Sequence, residues 1–263
     1  MQMDNLSPVR FVKSMPVSMA LWRACEDYLY KKYTAEITRP ILDLGCGDGI
    51  FADSLTVGMI HTGIDISNSA IKKASKLNKY EHLYVGNAEN LPFEDNIYNT
   101  VVSNCVLEHI PNIERVITEV WRIVKPGGKF IFTVPSKNYN EFLMGTTVFR
   151  NIGFNVLAEK YINFINKTGR QIHCWDISRW QELLQSKSFK IVRYEYFMPA
   201  RAMHIYDLIG IFRPFMLLNL FLFGKRTILP RNLHCRILEK TFKEIVSANP
   251  ESGGGLWILA QKV

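Results

Sequence analysis

The chain has 263 residues, 48% hydrophobic and 21% charged, which suits one globular α/β domain with a full core and requires no separate second domain. No linker, repeat or low-complexity tract is visible, the N-terminus with its Asp4 lacks the apolar stretch of a cleaved signal peptide, and five scattered cysteines (Cys25, Cys46, Cys105, Cys174, Cys235) without a CxxC pair point to reduced thiols in a cytosolic protein and to no metal cluster. The formal net charge is +8, and residues 199–250 hold eight Lys/Arg against three acids, so one late segment carries most of the excess and can attract nucleic acid, anionic lipid or an anionic small molecule.

Pro16–Tyr33 reads as an amphipathic helix, with Met19, Trp22, Leu29 and the Tyr28/Tyr30 pair interleaved with Arg23, Glu26 and Asp27. It is expected to lie as a cap (residues 1–38) against a sheet or over the mouth of a site. Ile41–Leu44 is a short apolar strand that passes through Asp43 into three alternating glycines, Gly45, Gly47 and Gly49. Glycine tolerates positive φ and has no Cβ, so such a turn lets a ligand approach the backbone closely. A helix expected from Gly49-Ile50-Phe51 puts free N–H groups at the same spot.

A second strand, Ile60–Asp65, ends in an acid about twenty residues past the turn, where an α/β nucleotide fold places a carboxylate for ribose hydroxyls. Ser67-Asn68-Ser69-Ala70 reads as an N-cap and first turn, with Ile71, Ala74 and Leu77 on one helical face. Strands at His82–Gly86, Thr100–Asn104 and Lys129–Val134 alternate with helical patterns, which argues for a parallel sheet with helices on both faces. Lys125-Pro126-Gly127-Gly128 is a helix stop and a tight turn into the fifth strand. Asp176-Ile177-Ser178 opens a helix through Leu184, Lys190–Met198 alternates as a sixth strand, and Gly255–Lys262 is the last.

Between those last two strands lies Ile205–Phe223, followed by Gly224-Lys225-Arg226. A spanning helix needs about 20 predominantly apolar residues. Asp207, Arg213, Pro214 and Asn219 break this run, so a transmembrane helix is rejected. Two readings of 205–226 stay open: a buried cap or dimer-forming helix pair, and an apolar surface with basic flanks that docks at a bilayer interface. Aromatics without regular basic interleaving disfavour a nucleic-acid groove.

Five motifs recur in order: Asp43-Leu44-Gly45-Cys46-Gly47-Asp48-Gly49; Gly63-Ile64-Asp65-Ile66-Ser67; Asn87-Ala88-Glu89-Asn90-Leu91-Pro92-Phe93; Val101 to Ile110, which includes Asn104, Glu108 and His109; and Trp121 to Lys129. On these motifs the chain resembles the class I S-adenosylmethionine-dependent methyltransferases, in the bacterial type 11-like group. The resemblance is strong over residues 40–135 and weak over 173–198. It implies a Rossmann-like α/β fold, a seven-stranded and mostly parallel sheet with helices on both faces, within a single domain over 1–263. The core would be 40–135, and 136–172 and 199–250 would be insertions, because the last two strands of that fold are neighbours.

The resemblance implies S-adenosylmethionine as methyl donor and no metal. Gly45, Gly47 and Gly49 would let the backbone pass along its amino-acid and ribose portions. Asp43 would anchor the turn and help with the methionyl ammonium, Asp65 would hold the ribose diol, and Ile66 would pack on adenine. Asn87-Ala88 would meet the adenine edge, with Asn87 standing where the family usually has Asp. Tyr98-Asn99 likewise replaces the usual aromatic–acid pair. The Asn104 carbonyl would meet the methionyl ammonium, and Cys46 and Cys105 would pack along the cofactor wall.

His109 is the first general-base candidate, because an imidazole titrating near neutrality can take a proton from an attacking hydroxyl; fixing the loop is its other reading. His173 is the second candidate, with helix capping as its alternative. Together these imply a methyltransferase acting on a small-molecule or lipid-like acceptor, with O-methylation the default and N- or C-methylation open. A non-catalytic cofactor-binding or scaffolding protein, and an enzyme acting on RNA or protein, are the alternatives. No Asn/Asp-Pro-Pro-Tyr/Phe tetrad follows the fourth strand, which argues against methylation of nucleic-acid bases.

Overall fold

The computed structural model describes residues 11, 15–55, 57–211 and 244–263. The chain forms two compact units, one of residues 1–28, 138–165 and 196–254, the other of 29–137, 166–195 and 255–263.

The second unit carries a seven-stranded sheet. Its strands are β1 (Ile41–Leu44), β2 (Ile60–Asp65), β3 (Tyr80–Val85), β4 (Tyr98–Asn104), β5 (Val124–Pro135), β6 (Phe189–Phe197) and β7 (Gly255–Lys262), in the order β3-β2-β1-β4-β5-β7-β6. The β1–β2, β1–β4, β2–β3 and β4–β5 pairings are parallel, and β5–β7 is antiparallel. All four residues of β1 are buried, as a strand with elements on both faces must be. The strand order reverses direction at β1/β4, so the carboxyl ends of β1, β2, β3 and β4 share one edge, and the crevice there is where such folds bind ligands.

The expected strands are all present, with ends that move by a few residues. The helix over 113–123, α3 (Ile113–Ile123), buries Ile113, Val116, Ile117, Val120 and Ile123, an i, i+3, i+4, i+7 stripe, and its N-cap Asn112 accepts from Arg115 N. α2 (Asn68–Ala74) starts at Ser67, whose side chain accepts from Ala70 N, as read from the sequence. α7 (Ile177–Ser186) starts at Asp176, which accepts from Arg179 N. The last turn of α1 (Val17–Lys32) and the residue after it reach β7, where Tyr33 stacks on Trp257 at 4.8 Å and Tyr30 meets it edge-on at 6.3 Å.

Two local expectations are corrected. The helix expected from Gly49 is a five-residue 3-10 turn, Ile50–Ser54; Gly49 is left-handed (φ 79°), and Gly58 (φ 78°) turns the chain again before β2. The Lys125–Gly128 stop belongs to β5 itself. α3 ends at Ile123, and pairing with β4 runs from Tyr98↔Val124 to Thr100↔Lys129, so β5 bulges there with Gly127 at φ 73°. Lys262 fills the bulge and donates to Val124 O and Trp121 O at 2.7 Å, placing a cation on the end of α3.

The first unit holds the start of α1 with α4 (Asn138–Glu141), α5 (Met144–Asn151), most of α6 (Asn155–Gly169) and α8 (Ala200–Ile211). The start of α1 belongs to the segment read as a cap, and the other four helices lie in the stretches read as insertions. At its centre Trp22 meets Phe197 at 5.0 Å, Tyr139 at 5.7 Å and Tyr206 at 5.9 Å. Asp207 on α8 is buried and accepts from Gly145 N (3.0 Å) and Tyr161 Oη (2.5 Å), so the acid inside the apolar run is a tether between helices. Burial and this acid together push the Tyr161 hydroxyl upward. Most of the 205–226 segment, from 212 onward, lies outside the described residues. Among the described residues no helix is long and apolar enough to cross a membrane.

Candidate cofactor and active site

The glycine turn is held from beneath by β2: Gly45 N and Cys46 N both donate to Ile64 O, at 2.8 and 3.0 Å. Gly45, Gly47 and Gly49 all have positive φ, at 76°, 56° and 79°. Their surroundings differ. A Cβ on Gly45 would lie 2.4 Å from Val106 Cγ2, and one on Gly49 3.1 Å from Leu77 Cδ1, whereas one on Gly47 would meet nothing within 4 Å. The turn is therefore packed at both ends and open in the middle.

Asp65 closes this turn. Its Oδ2 accepts from Gly47 N at 2.9 Å and its Oδ1 from Ser67 N at 2.8 Å. Each carboxylate oxygen keeps a second lone pair for a ligand hydroxyl. Beside it Ile66 is 74% exposed, a large apolar side chain left open to solvent at a strand end. Asp43 is buried one strand away and accepts from Tyr80 Oη at 2.7 Å. Burial, and then the Asp43 charge, push that phenol well above its ordinary range, so it stays a neutral donor. The Cys46 thiol is raised too, by burial first and Asp43 next, which keeps it protonated.

Beyond β3, Asn87 Oδ1 accepts from Glu89 N and its carbonyl from Asn90 N, both at 3.0 Å, a side-chain-closed turn that presents Ala88. The loop that follows is tied to α3. Glu119 Oε2 accepts from Leu91 N (2.9 Å), while Arg122 donates to Phe93 O (2.6 Å), Leu91 O (3.0 Å) and Asp95 Oδ1 (2.8 Å). Arg122 also bonds Glu119 Oε2 at 2.8 Å, and this partner holds the Glu119 carboxyl below its usual range. Arg115 adds a bond to Glu89 O at 3.1 Å. Sequence reasoning did not single out these three residues; the available signal was Glu119 and Arg122 at i, i+3 on a helix otherwise apolar on its buried face.

At the end of β4, Asn104 is buried and its Oδ1 accepts from Thr133 Oγ1 at 2.7 Å. Cys105 follows in the left-handed region (φ 53°), with its N–H on Thr133 O at 3.0 Å. His109 ends the short 3-10 turn Leu107–His109, with an exposed ring whose Nδ1 lies 3.0 Å from Arg170 O. A carbonyl only accepts, so Nδ1 carries the proton and Nε2 of the neutral ring has the free lone pair. That Nε2 is 3.8 Å from Glu108 Oε1. His173 is buried; by the same argument its Nε2 donates to Ile110 O (2.9 Å), and its ring packs on Trp175 at 4.5 Å. Ile172 N donates to Glu108 O at 2.8 Å, so the strap 170–173 runs along the turn that carries His109.

The structure thus joins Asp65 to Gly47 directly. It sets Asn87-Ala88 beyond the carboxyl end of β3, and Asn104 and His109 at and beyond that of β4, on the same edge of the parallel sheet, and brings His173 to the same turn as His109.

Residues 42–132 match the family model described as a methyltransferase domain. That stretch is a methyltransferase domain. It contains Asp43 and every residue from the glycine turn to His109, and leaves out His173. The class to which the domain and its fold belong takes its methyl group from S-adenosylmethionine. Among curated proteins, the chain is 31% identical to a ubiquinone biosynthesis O-methyltransferase of Vibrio atlanticus, over 44% of this chain and 52% of that protein. It is 32% identical to a demethylmenaquinone methyltransferase of Symbiobacterium thermophilum, over 50% of this chain and 55% of that protein. The chain therefore spans little more than half the length of these relatives. Among solved structures, an S-adenosylmethionine-dependent methyltransferase from Methanosarcina mazei aligns with TM-score 0.54 and 19% identity, over 89% of this chain and 98% of that one. The cyclase SpnF aligns with TM-score 0.56 and 17% identity, over 90% and 80%. Both share the methyltransferase fold of this domain.

Proposed function

We propose that the protein is an S-adenosylmethionine-dependent methyltransferase acting on a small-molecule or lipid-like acceptor, with a hydroxyl as the group methylated. The observation that carries this reading is the Asp65 bridge: one carboxylate gathers the N–H groups of Gly47 and Ser67 beside an open glycine and an exposed Ile66. A donor with a ribose diol and an adenine fits those features, since the diol supplies two hydroxyls to the carboxylate and the ring covers the isoleucine. The relatives named for ubiquinone and demethylmenaquinone favour a quinone-type acceptor.

When bound, the donor supplies an electrophilic methyl on a sulfonium, so the protein's task is alignment and proton removal. The glycine turn admits the donor along its backbone. Asn87-Ala88 borders the adenine on a loop fixed by Arg115, Glu119 and Arg122. Asn104 presents its carbonyl to the ammonium of the donor, and Asp43 and Tyr80 keep the strand beneath it from shifting. His109 takes the hydroxyl proton of the acceptor on Nε2, and the imidazolium is steadied by Glu108. His173, with Nε2 committed to Ile110 O and its ring on Trp175, positions the strap instead.

Calorimetry tests the donor site: wild-type protein is expected to bind S-adenosylmethionine or S-adenosylhomocysteine, and Asp65→Ala to bind neither measurably. Unchanged affinity in Asp65→Ala refutes the ribose assignment. A second reading, a cofactor-binding protein without methyl transfer, is favoured by the cyclase that shares the fold. Binding with no turnover of any hydroxylated quinone or lipid extract would select it.

A further inference from the structure

We propose that His61, Glu81 and His82 form a binding site for a divalent transition-metal ion of the zinc type, at the edge of the sheet and independent of the methyl-transfer site. His61 lies on β2, and Glu81 and His82 lie on β3, the outermost strand at that end of the sheet. One ligand atom from each of the three lies within 4.8 Å of the other two. The two imidazole centroids are 5.5 Å apart. With metal–nitrogen bonds near 2.0–2.1 Å, tetrahedral ligands sit about 3.3 Å from one another, so closing the site asks for shifts of about 1 Å. Glu81 and His82 are exposed, and their side chains can make that movement without repacking a core.

The surroundings favour a ligand role. His61 Nδ1 is 2.9 Å from Thr62 Oγ1, and the same oxygen accepts from Tyr98 Oη at 3.0 Å. A hydroxyl oxygen accepts twice, so Thr62 Oγ1 can accept a hydrogen bond from Nδ1–H, which fixes the ring and leaves Nε2 as the ligand nitrogen. Holding the far side of a ligating imidazole in this way is the usual second layer of a metal site. Arg39 pairs with Glu81 through Oε1 only. The other carboxylate oxygen, Oε2, is left to face a metal ion. Two imidazoles and one carboxylate suit zinc, nickel or copper; magnesium and calcium favour all-oxygen shells. Three protein ligands on an exposed edge leave a fourth position for water. The ion would tie β3 to β2 and so stiffen the edge strand of the sheet.

The test is calorimetric titration of the full chain with Zn²⁺, beside His82→Ala and Glu81→Gln. One equivalent is expected, with affinity reduced about tenfold or more in each variant. Because other histidines and the thiols also bind zinc, the difference between proteins decides the matter. Thermal unfolding supplies the second measurement: Zn²⁺ should raise the wild-type midpoint and leave that of His82→Ala in place. Absence of saturable binding, or binding and stabilisation that survive His82→Ala unchanged, overturns the proposal. Circular dichroism of His82→Ala, an exposed position, confirms that any loss is not a loss of fold.

Discussion

Gly45 and Gly47 sit two residues apart in the same turn, yet alanine at each is expected to fail in different ways. Both residues have positive φ, 76° and 56°, and a left-handed alanine costs about 1–2 kcal/mol. At Gly45 the new Cβ would also lie 2.4 and 2.7 Å from the two γ carbons of Val106. Those are core-like contacts, and relieving them costs about 1–3 kcal/mol more. At Gly47 no atom lies within 4 Å of the added carbon, so nothing is added to the backbone cost. Gly45→Ala is therefore expected to lose about 2–5 kcal/mol and Gly47→Ala about 1–2. The gap corresponds to several degrees in midpoint, at about 2–4 °C per kcal/mol for chains approaching this size. Binding should invert the order of harm relative to stability: the open side of Gly47 is the proposed path of the donor, and a methyl there occupies it. Scanning calorimetry on both variants, with titration of S-adenosylhomocysteine below the lower midpoint, reads both quantities. Equal midpoints would refute the packing account of Gly45. Wild-type affinity in Gly47→Ala would refute the assignment of the open face.

Arg122→Met should unclamp residues 91–95 and leave Glu119 without its main partner, lowering stability by about 1–3 kcal/mol after allowance for the partial exposure of the arginine. Because Arg122 depresses the Glu119 carboxyl in the folded state, that stabilisation is present above the unfolded carboxylate value of about 4.3 and is lost as pH falls through the folded one; the acid-unfolding midpoint of Arg122→Met should thus move to higher pH, and an unmoved midpoint would show that the pair contributes nothing. His109→Ala should keep donor affinity and lose about 100-fold or more in turnover of a hydroxyl acceptor, whereas an unchanged rate would leave the histidine a loop residue.

Much of this architecture is written in short-range signals. β1, β2 and β7 have the boundaries their apolar runs imply, and Ser67 and Asp176 cap the helices they precede. Asp65 was found by its distance from the glycines, and the structure puts it on Gly47 N. What was not legible depended on contacts far apart in sequence. The bond from Tyr80 to Asp43 spans 37 residues, and nothing local to His82–Gly86 marks the strand as starting two residues early. The 3-10 turn after Gly49 was read as a full helix because free N–H groups and apolar residues look alike in both over one turn. The bulge of β5 hides behind a Pro-Gly-Gly stop signal whose pairing with β4 only the sheet reveals. Asp207 looked like an interruption of an apolar run, and its two donors lie 46 and 62 residues away.

The proposed donor site owes its shape to backbone rather than to side chains, and Asp65 is where the two meet. Both of its oxygens already accept an N–H, one from the glycine turn and one from the start of α2, before any ligand arrives. A carboxylate held this way loses little freedom on binding, so its hydrogen bonds to a diol are not offset by ordering costs. The arrangement also makes asparagine a poor substitute despite its matching shape. An amide offers one accepting oxygen and sets an N–H₂ group against the other backbone N–H, so Asp65→Asn should part the turn from either Gly47 or Ser67. Donor affinity in Asp65→Asn should then fall nearly as far as in Asp65→Ala. If the asparagine variant binds like wild type, the carboxylate's charge and double acceptance are not what hold the donor, and the glycine turn alone must do so.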